Sequence, residues 1–149
     1  MPRSPKPPAH ATGSADDVEA EFYEALQSGD IERLMALWSD DDEISCVHPG
    51  GSRLVGAGAI RASFDAMFAN GTIDARPDRV RRLDTHSAAV HSVLERIRVA
   101  GPEGEASAWV VATNVYIKST RGWRLVAHHA SPGTPHEVQE QAETASILH

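Results

Sequence analysis

The second half of the chain alternates with a period of two almost without a break, and that pattern leaves few folds open. Residues 87–100 (SAAVHSVLERIRVA), 106–119 (ASAWVVATNVYIKS) and 119–131 (STRGWRLVAHHAS) each read as a strand rich in β-branched and aromatic residues. Only GPEGE and a Thr-Arg-Gly turn separate them. That is too little chain for a crossover helix, so these strands must run antiparallel. Residues 72–83 (TIDARPDRVRRL) form a more polar strand interrupted by Pro77. Proline lacks a backbone donor, which suits the edge of a sheet.

The first half repeats at helical spacing instead. Ser14 and Asp17 resemble a capping box, and Val18, Phe22 and Leu26 then make one apolar stripe that Ser28-Gly29 ends. Asp30 can cap a second helix with Ile31, Leu34, Met35 and Trp38 on one face. An acidic break, SDDDE, leads into the short strand ISCVH. A third helix covers roughly residues 57–69, with Ile60, Phe64, Met67 and Phe68 on one side and Asn70-Gly71 as its left-handed stop. Helices first and antiparallel strands after them give an α+β class.

Length and charge exclude several functions. A chain of 149 residues with 41% hydrophobic and 23% charged content suits one soluble domain with a real core. A formal net charge of −7 argues against a nucleic-acid partner. No apolar run approaches a membrane span, and the N-terminus lacks the apolar stretch of a secretory signal. With Cys46 alone there is no internal disulfide, so a cytoplasmic location is expected. The proline-rich residues 1–13 read as a flexible tail, residues 14–135 as the folded domain, and residues 136–149 as a polar tail.

The paired amphipathic helices ending at Trp38, the strand ISCVHPGG, the helix VGAGAIRASFDAMF and the closing stretch ATNVYIKSTRGWRLVAHHASP resemble the SnoaL-like branch of the nuclear transport factor 2-like superfamily. That superfamily also includes ketosteroid isomerases. The likeness spans about residues 15–132, and WRLVAHHAS carries most of it. It implies a cystatin-like, cone-shaped α+β fold: three N-terminal helices packed in the concave face of a curved, mixed, mostly antiparallel sheet. It also implies a cavity at one end and, often, a dimer through the convex face. Isomerase members use a carboxylate base with an oxyanion hole of a tyrosine and a protonated carboxylic acid. That constellation is not matched residue by residue here. One such fold hosts isomerases, dehydratases, cyclases, ligand binders and assembly domains.

Strand parity sorts the candidate residues. Trp123, Leu125, Ala127, His129 and Ser131 share one row, and Arg124, Val126, His128 and Ala130 the other. His129 is therefore expected to face the interior as a general base or ligand donor, and His128 an interface or the surface. The alternative for His129 is a buried ring bonded to a backbone carbonyl or Ser131. His48 sits at the end of a strand with Ile44 and Cys46 in its row, and is either a second inward histidine or a loop residue. Glu95 shares a row with Ala89, His91, Val93 and Ile97. A carboxylate there is paired, hydrogen-bonded or raised in pKa, unless the Val90 and Leu94 row is the inward one. Asn114 and Tyr116 are candidate donors to a ligand carbonyl, and Trp38, Trp109 and Trp123 candidate aromatic walls, although strand tryptophans are more often core.

No nucleophile elbow, calcium loop or helical zinc-ligand spacing is present, and a zinc site from His48, His129 and Glu95 lacks such spacing. Cys46 reads as a core thiol. No metal and no cofactor are expected. The central strands are apolar on both faces, which points to a homodimer packed sheet to sheet. The expected function is a site for an apolar small molecule, with His129, Glu95 and His48 moving protons in an isomerisation, dehydration or cyclisation. The competing reading is a non-catalytic dimeric module that binds a ligand or a partner.

Overall fold

Ser14 starts the fold as the sequence requires: its side chain accepts a hydrogen bond from Asp17 N at 3.0 Å, opening helix α1 (Ala15–Ser28). Gly29, at φ 68°, closes α1 in the left-handed region, and Asp30 then caps the short α2 (Ile31–Met35) through Arg33 N. Trp38 lies beyond α2, in a parallel bridge to Leu125, so the second helix is shorter than its apolar face suggests. The computed structural model describes residues 13–101 and 104–134. Both expected tails, apart from Gly13, and the tip of the GPEGE turn lie outside the described residues.

Strands β1 (Ser45–Val47) and β2 (Arg53–Val55) follow, then α3 (Ala57–Phe68), and then four long strands: β3 (Ala75–Asp84), β4 (Ala88–Gly101), β5 (Gly104–Ser119) and β6 (Gly122–Pro132). They make one six-stranded curved, unclosed sheet in the order β2-β1-β6-β5-β4-β3. Only β1 and β6 pair in parallel; the other neighbours are antiparallel. Pro77 falls on the edge strand β3, as its missing donor demands. A register shift between Asp78 and Arg81, with Arg79 at φ 46°, bends that edge. Strand β2, three residues long, is an element the periodicity does not announce.

The three helices pack on the sheet. The core holds Val18, Phe22 and Leu26 of α1, Leu34, Ile60 and Phe64 of α2 and α3, and Ala89, Val93, Tyr116 and Leu125 of the sheet. Phe22 meets Tyr23 and Phe64 edge to face, at centroid distances of 5.1 and 6.4 Å. Among the described residues no helix is long and apolar enough to cross a membrane.

One irregularity decides which histidine faces inward. On β6 the pairing with β5 runs Val115 to Ala127 but Tyr116 to Leu125, so Val126 is surplus and forms a bulge. Leu125 and His128 are consequently both buried, while His129 is exposed. Unbroken alternation places His129 inside and His128 outside; the bulge reverses both, and the inward reading of His129 is corrected.

Candidate functional site

Two residues one helical turn apart, Glu19 and Tyr23, carry polar groups on the sheet-facing side of α1, and both are buried. Across from them β4 presents His91 and Glu95, β5 presents Asn114 and Tyr116, and β6 presents His128, all buried as well. Buried polar groups must find partners, and these find one another. The Tyr23 hydroxyl donates to Glu95 Oε2 at 2.7 Å and accepts from Asn114 Nδ2 at 3.1 Å. Glu19 Oε2 accepts from the Tyr116 hydroxyl at 2.8 Å and from His91 Nδ1 at 2.9 Å.

Asn114 fixes a tautomer. Its amide nitrogen is committed to Tyr23, so its Oδ1 faces His128 Nδ1 at 2.6 Å and accepts the proton carried there. His128 Nε2 is left as an acceptor. Burial, with His48 and His129 nearby, pushes the His128 pKa down to about 3, so the ring stays neutral. His48 is half-buried. Its Nε2 lies 2.9 Å from Ser63 Oγ, whose own proton goes to Ile60 O, so His48 is the donor. Its ring meets Phe64 edge to face, and burial lowers its pKa too.

Glu95, His48 and His128 converge on one small cavity of about 50 Å³, whose apolar wall includes Phe22, Phe64, Met67, Ile73 and Ile97. Loss of solvation pushes the Glu95 carboxyl up to about 7; the charge of Glu19 adds to this and the hydrogen bond from Tyr23 opposes it. Burial, with Glu95 adding, pushes the Tyr23 hydroxyl well above its usual value, so it remains a donor. Burial first, and Glu95 second, push the Cys46 thiol up to about 12, so it is inert at neutral pH.

Of the residues singled out in the sequence, Glu95 and His48 line this cavity and His129 does not. Asn114 and Tyr116 face inward but bind protein groups: Asn114 orients His128, and Tyr116 holds Glu19. The tryptophans do not assemble a wall. Trp38 is buried beside Leu125 with its Nε1 unpartnered, Trp123 packs at the margin of the core, and Trp109 lies half-buried on the outward row of β5. The aromatic lining comes from Phe22 and Phe64 instead. Glu19 and Tyr23 are the site residues that sequence reasoning passes over, and His128 is one that it places on the outer face. The spacing of Glu19 and Tyr23 beside the apolar stripe Val18–Phe22–Leu26 is the signal that could have found the first two. An open groove of about 300 Å³, lined by Ser39, Asp41, Glu43, Ile44, Ile117 and Val126, lies elsewhere.

Residues 16–135 match the profile of the SnoaL-like domain family. Among solved structures, a dehydratase, provisionally so named, of the NTF2-like family from Streptomyces avermitilis is 32% identical, with a TM-score of 0.73 over 85% of this chain and 98% of that one. A provisionally named calcium/calmodulin-dependent protein kinase type II association domain from Thiobacillus denitrificans is 30% identical, with a TM-score of 0.74 over 82% of this chain and 97% of that one. An uncharacterised protein with a cystatin-like fold from Caulobacter vibrioides is 15% identical, at a TM-score of 0.71 over 85% and 92%, and shows the shared fold alone. No curated protein matches the chain.

Proposed function

The chain belongs to the SnoaL-like domain family, and on that footing we propose that its cavity is a cofactor-free proton-transfer site for a small carbonyl compound. The observation that carries this reading is Glu95: a buried carboxyl facing the cavity, titrating near 7 and held by the Tyr23 hydroxyl. Such a group takes a proton from carbon and returns it with little cost near neutral pH. His128, neutral, offers an acceptor at Nε2, and the His48 ring stands across the same cavity. In this division of labour Glu95 moves the proton beside the carbonyl, while His128 Nε2 accepts from a hydroxyl of the substrate and so orients it. The likeness to a provisionally named dehydratase supports the same class, an isomerisation, dehydration or cyclisation. A cavity of about 50 Å³ holds a few waters, against the several hundred Å³ of sites for drug-sized ligands. Binding must therefore displace part of the apolar wall, where Met67, unbranched and adaptable, is the softest member.

Proton exchange tests this whatever the final product. Incubated in D₂O with a panel of small β-hydroxy and β,γ-unsaturated ketones, the protein should catalyse deuterium uptake next to the carbonyl. Glu95→Gln should lower that rate by roughly 100-fold or more. No exchange with any member, or an equal rate in the variant, overturns the proposal.

A second reading rests on a different observation. The polar groups of the cavity are largely satisfied by one another, as in a structural core, and a 30%-identical structure is named an association domain. On this reading the domain is a dimeric module joined through its convex sheet face, and the variant changes stability alone.

A further inference from the structure

At the other end of the seam that begins with Glu95, His91 is fully buried and its Nε2 has no hydrogen-bond partner. Its Nδ1 is committed to Glu19 at 2.9 Å. A carboxylate accepts, so Nδ1 carries a proton, and in the neutral imidazole Nε2 keeps a lone pair. That lone pair faces Asp16 Oδ1 and Asp84 Oδ1, each 3.9 Å away. Both aspartates are largely exposed, with side chains 60% and 61% accessible. A carboxylate oxygen of Asp16, one of Glu19 and a ring nitrogen of His91 all lie within 4.8 Å of one another.

From this geometry we propose a divalent cation site, suited to zinc, at the junction of α1, β3 and β4. His91 Nε2, Asp16 and Asp84 are the protein ligands, and water completes the coordination. Four arguments favour a cation over a simple polar contact. The separations are too long for a hydrogen bond. They are close to the roughly 3.4 Å between two ligands on one tetrahedral zinc with bonds of about 2.05 Å, and a turn of either exposed aspartate closes the difference. The Glu19 carboxylate behind Nδ1–H is the partner that metal-bound imidazoles use to fix tautomer and orientation. Finally, Asp16, Glu19 and Asp84 bring three carboxylates to one imidazole, and Arg82 donates from Nε to Asp16 Oδ1 at 2.8 Å. A carboxylate oxygen has a second lone pair, so Asp16 Oδ1 can accept from Arg82 and still face the metal. The proposal does not depend on the proton-transfer reading, since its donors lie outside the cavity lining.

The test is calorimetric titration of the full chain with zinc chloride in a non-chelating buffer. One site of micromolar affinity is expected. Asp84→Asn should weaken it by roughly 10-fold or more, and Asp16→Asn with Asp84→Asn should abolish it. Both aspartates are exposed, so melting without metal should be nearly unchanged, while zinc should raise the melting temperature of the parent and not of the double variant. Arg82→Ala removes a competing positive charge and should tighten binding several-fold, a gain that loss of folding cannot mimic. Absence of zinc binding, or binding of equal affinity in the double variant, as other histidines of the chain could provide, overturns the proposal.

Discussion

A carboxyl group inside an apolar shell takes its proton affinity from its neighbours, and Glu95 has neighbours pulling both ways. Burial and the charge of Glu19 raise its pKa, and the Tyr23 hydroxyl lowers it, to a net value of about 7. The sign of the consequence follows. Below the unfolded carboxyl value of about 4.3, Glu95 is protonated in both states. As pH rises past that value the unfolded chain releases the proton while the folded chain holds it to about 7, so stability falls across this window and levels off above it. The loss is roughly 4 kcal/mol at most. Gln keeps the neutral shape, so Glu95→Gln should melt several degrees above the parent at about pH 8 and beside it at about pH 4. Equal melting at the higher pH would show that the carboxyl is not raised. His128 works in the opposite direction: its neutral ring stabilises the fold above about pH 6.5, and this is lost as pH falls towards 3. That contribution is common to both proteins and cancels in the comparison.

Among the elements, the bulge in β6 matters most, because it alone lets both Leu125 and His128 face the core. If Val126 is a surplus residue, removing it should leave a regular strand with both still inward. Deletion of Val126 should therefore give a folded protein, destabilised by about 1–2 kcal/mol through lost packing. Deletion of Thr113, in the regular part of β5, turns one side of that strand over and should abolish folding. Thermal melts and amide NMR spectra of the two variants would separate these outcomes. The same bulge explains a limit of the sequence. Helices α1 and α3 and strands β3 to β6 were legible because Val18, Phe22 and Leu26, or Val110, Ala112 and Asn114, repeat at the period of their element. The bulge was not legible, since Val126 and Ala127 are both small and apolar and fit either face. Strand β2 was too short to show a period. Glu95 could be singled out because a carboxylate interrupts an apolar strand row, whereas Glu19 and Tyr23 on a charged helix look like solvent-facing residues until the sheet is placed opposite them.

On the scale of the whole molecule, the outward face of the sheet is a surface that the site does not explain. Trp109, Val111 and Val115 are half-buried there, Ile117 is 44% exposed, and Thr113 and His129 lie paired and exposed between them. If two copies pack through this face, a charge at its centre should separate them. Thr113→Arg changes an exposed residue, so the fold should persist while light scattering falls from a dimeric to a monomeric mass. A parent that is already monomeric at micromolar concentration, or a variant that stays dimeric, counts against the convex interface.

The parallel pairing of β1 with β6 also sets an order of events during synthesis. Strand β1 has two partners in the sheet, the three-residue β2 and β6, the last of the described strands. Until residues 122–132 leave the ribosome, the early helices have no complete surface to cover, and Phe22 lacks His128 beside it. Contacts that join the two ends of a chain form late and slowly. A nascent chain stalled before Gly122 thus holds two unconnected pieces of sheet with an open edge on each, the state in which a protein of this design is most exposed to aggregation and to chaperones.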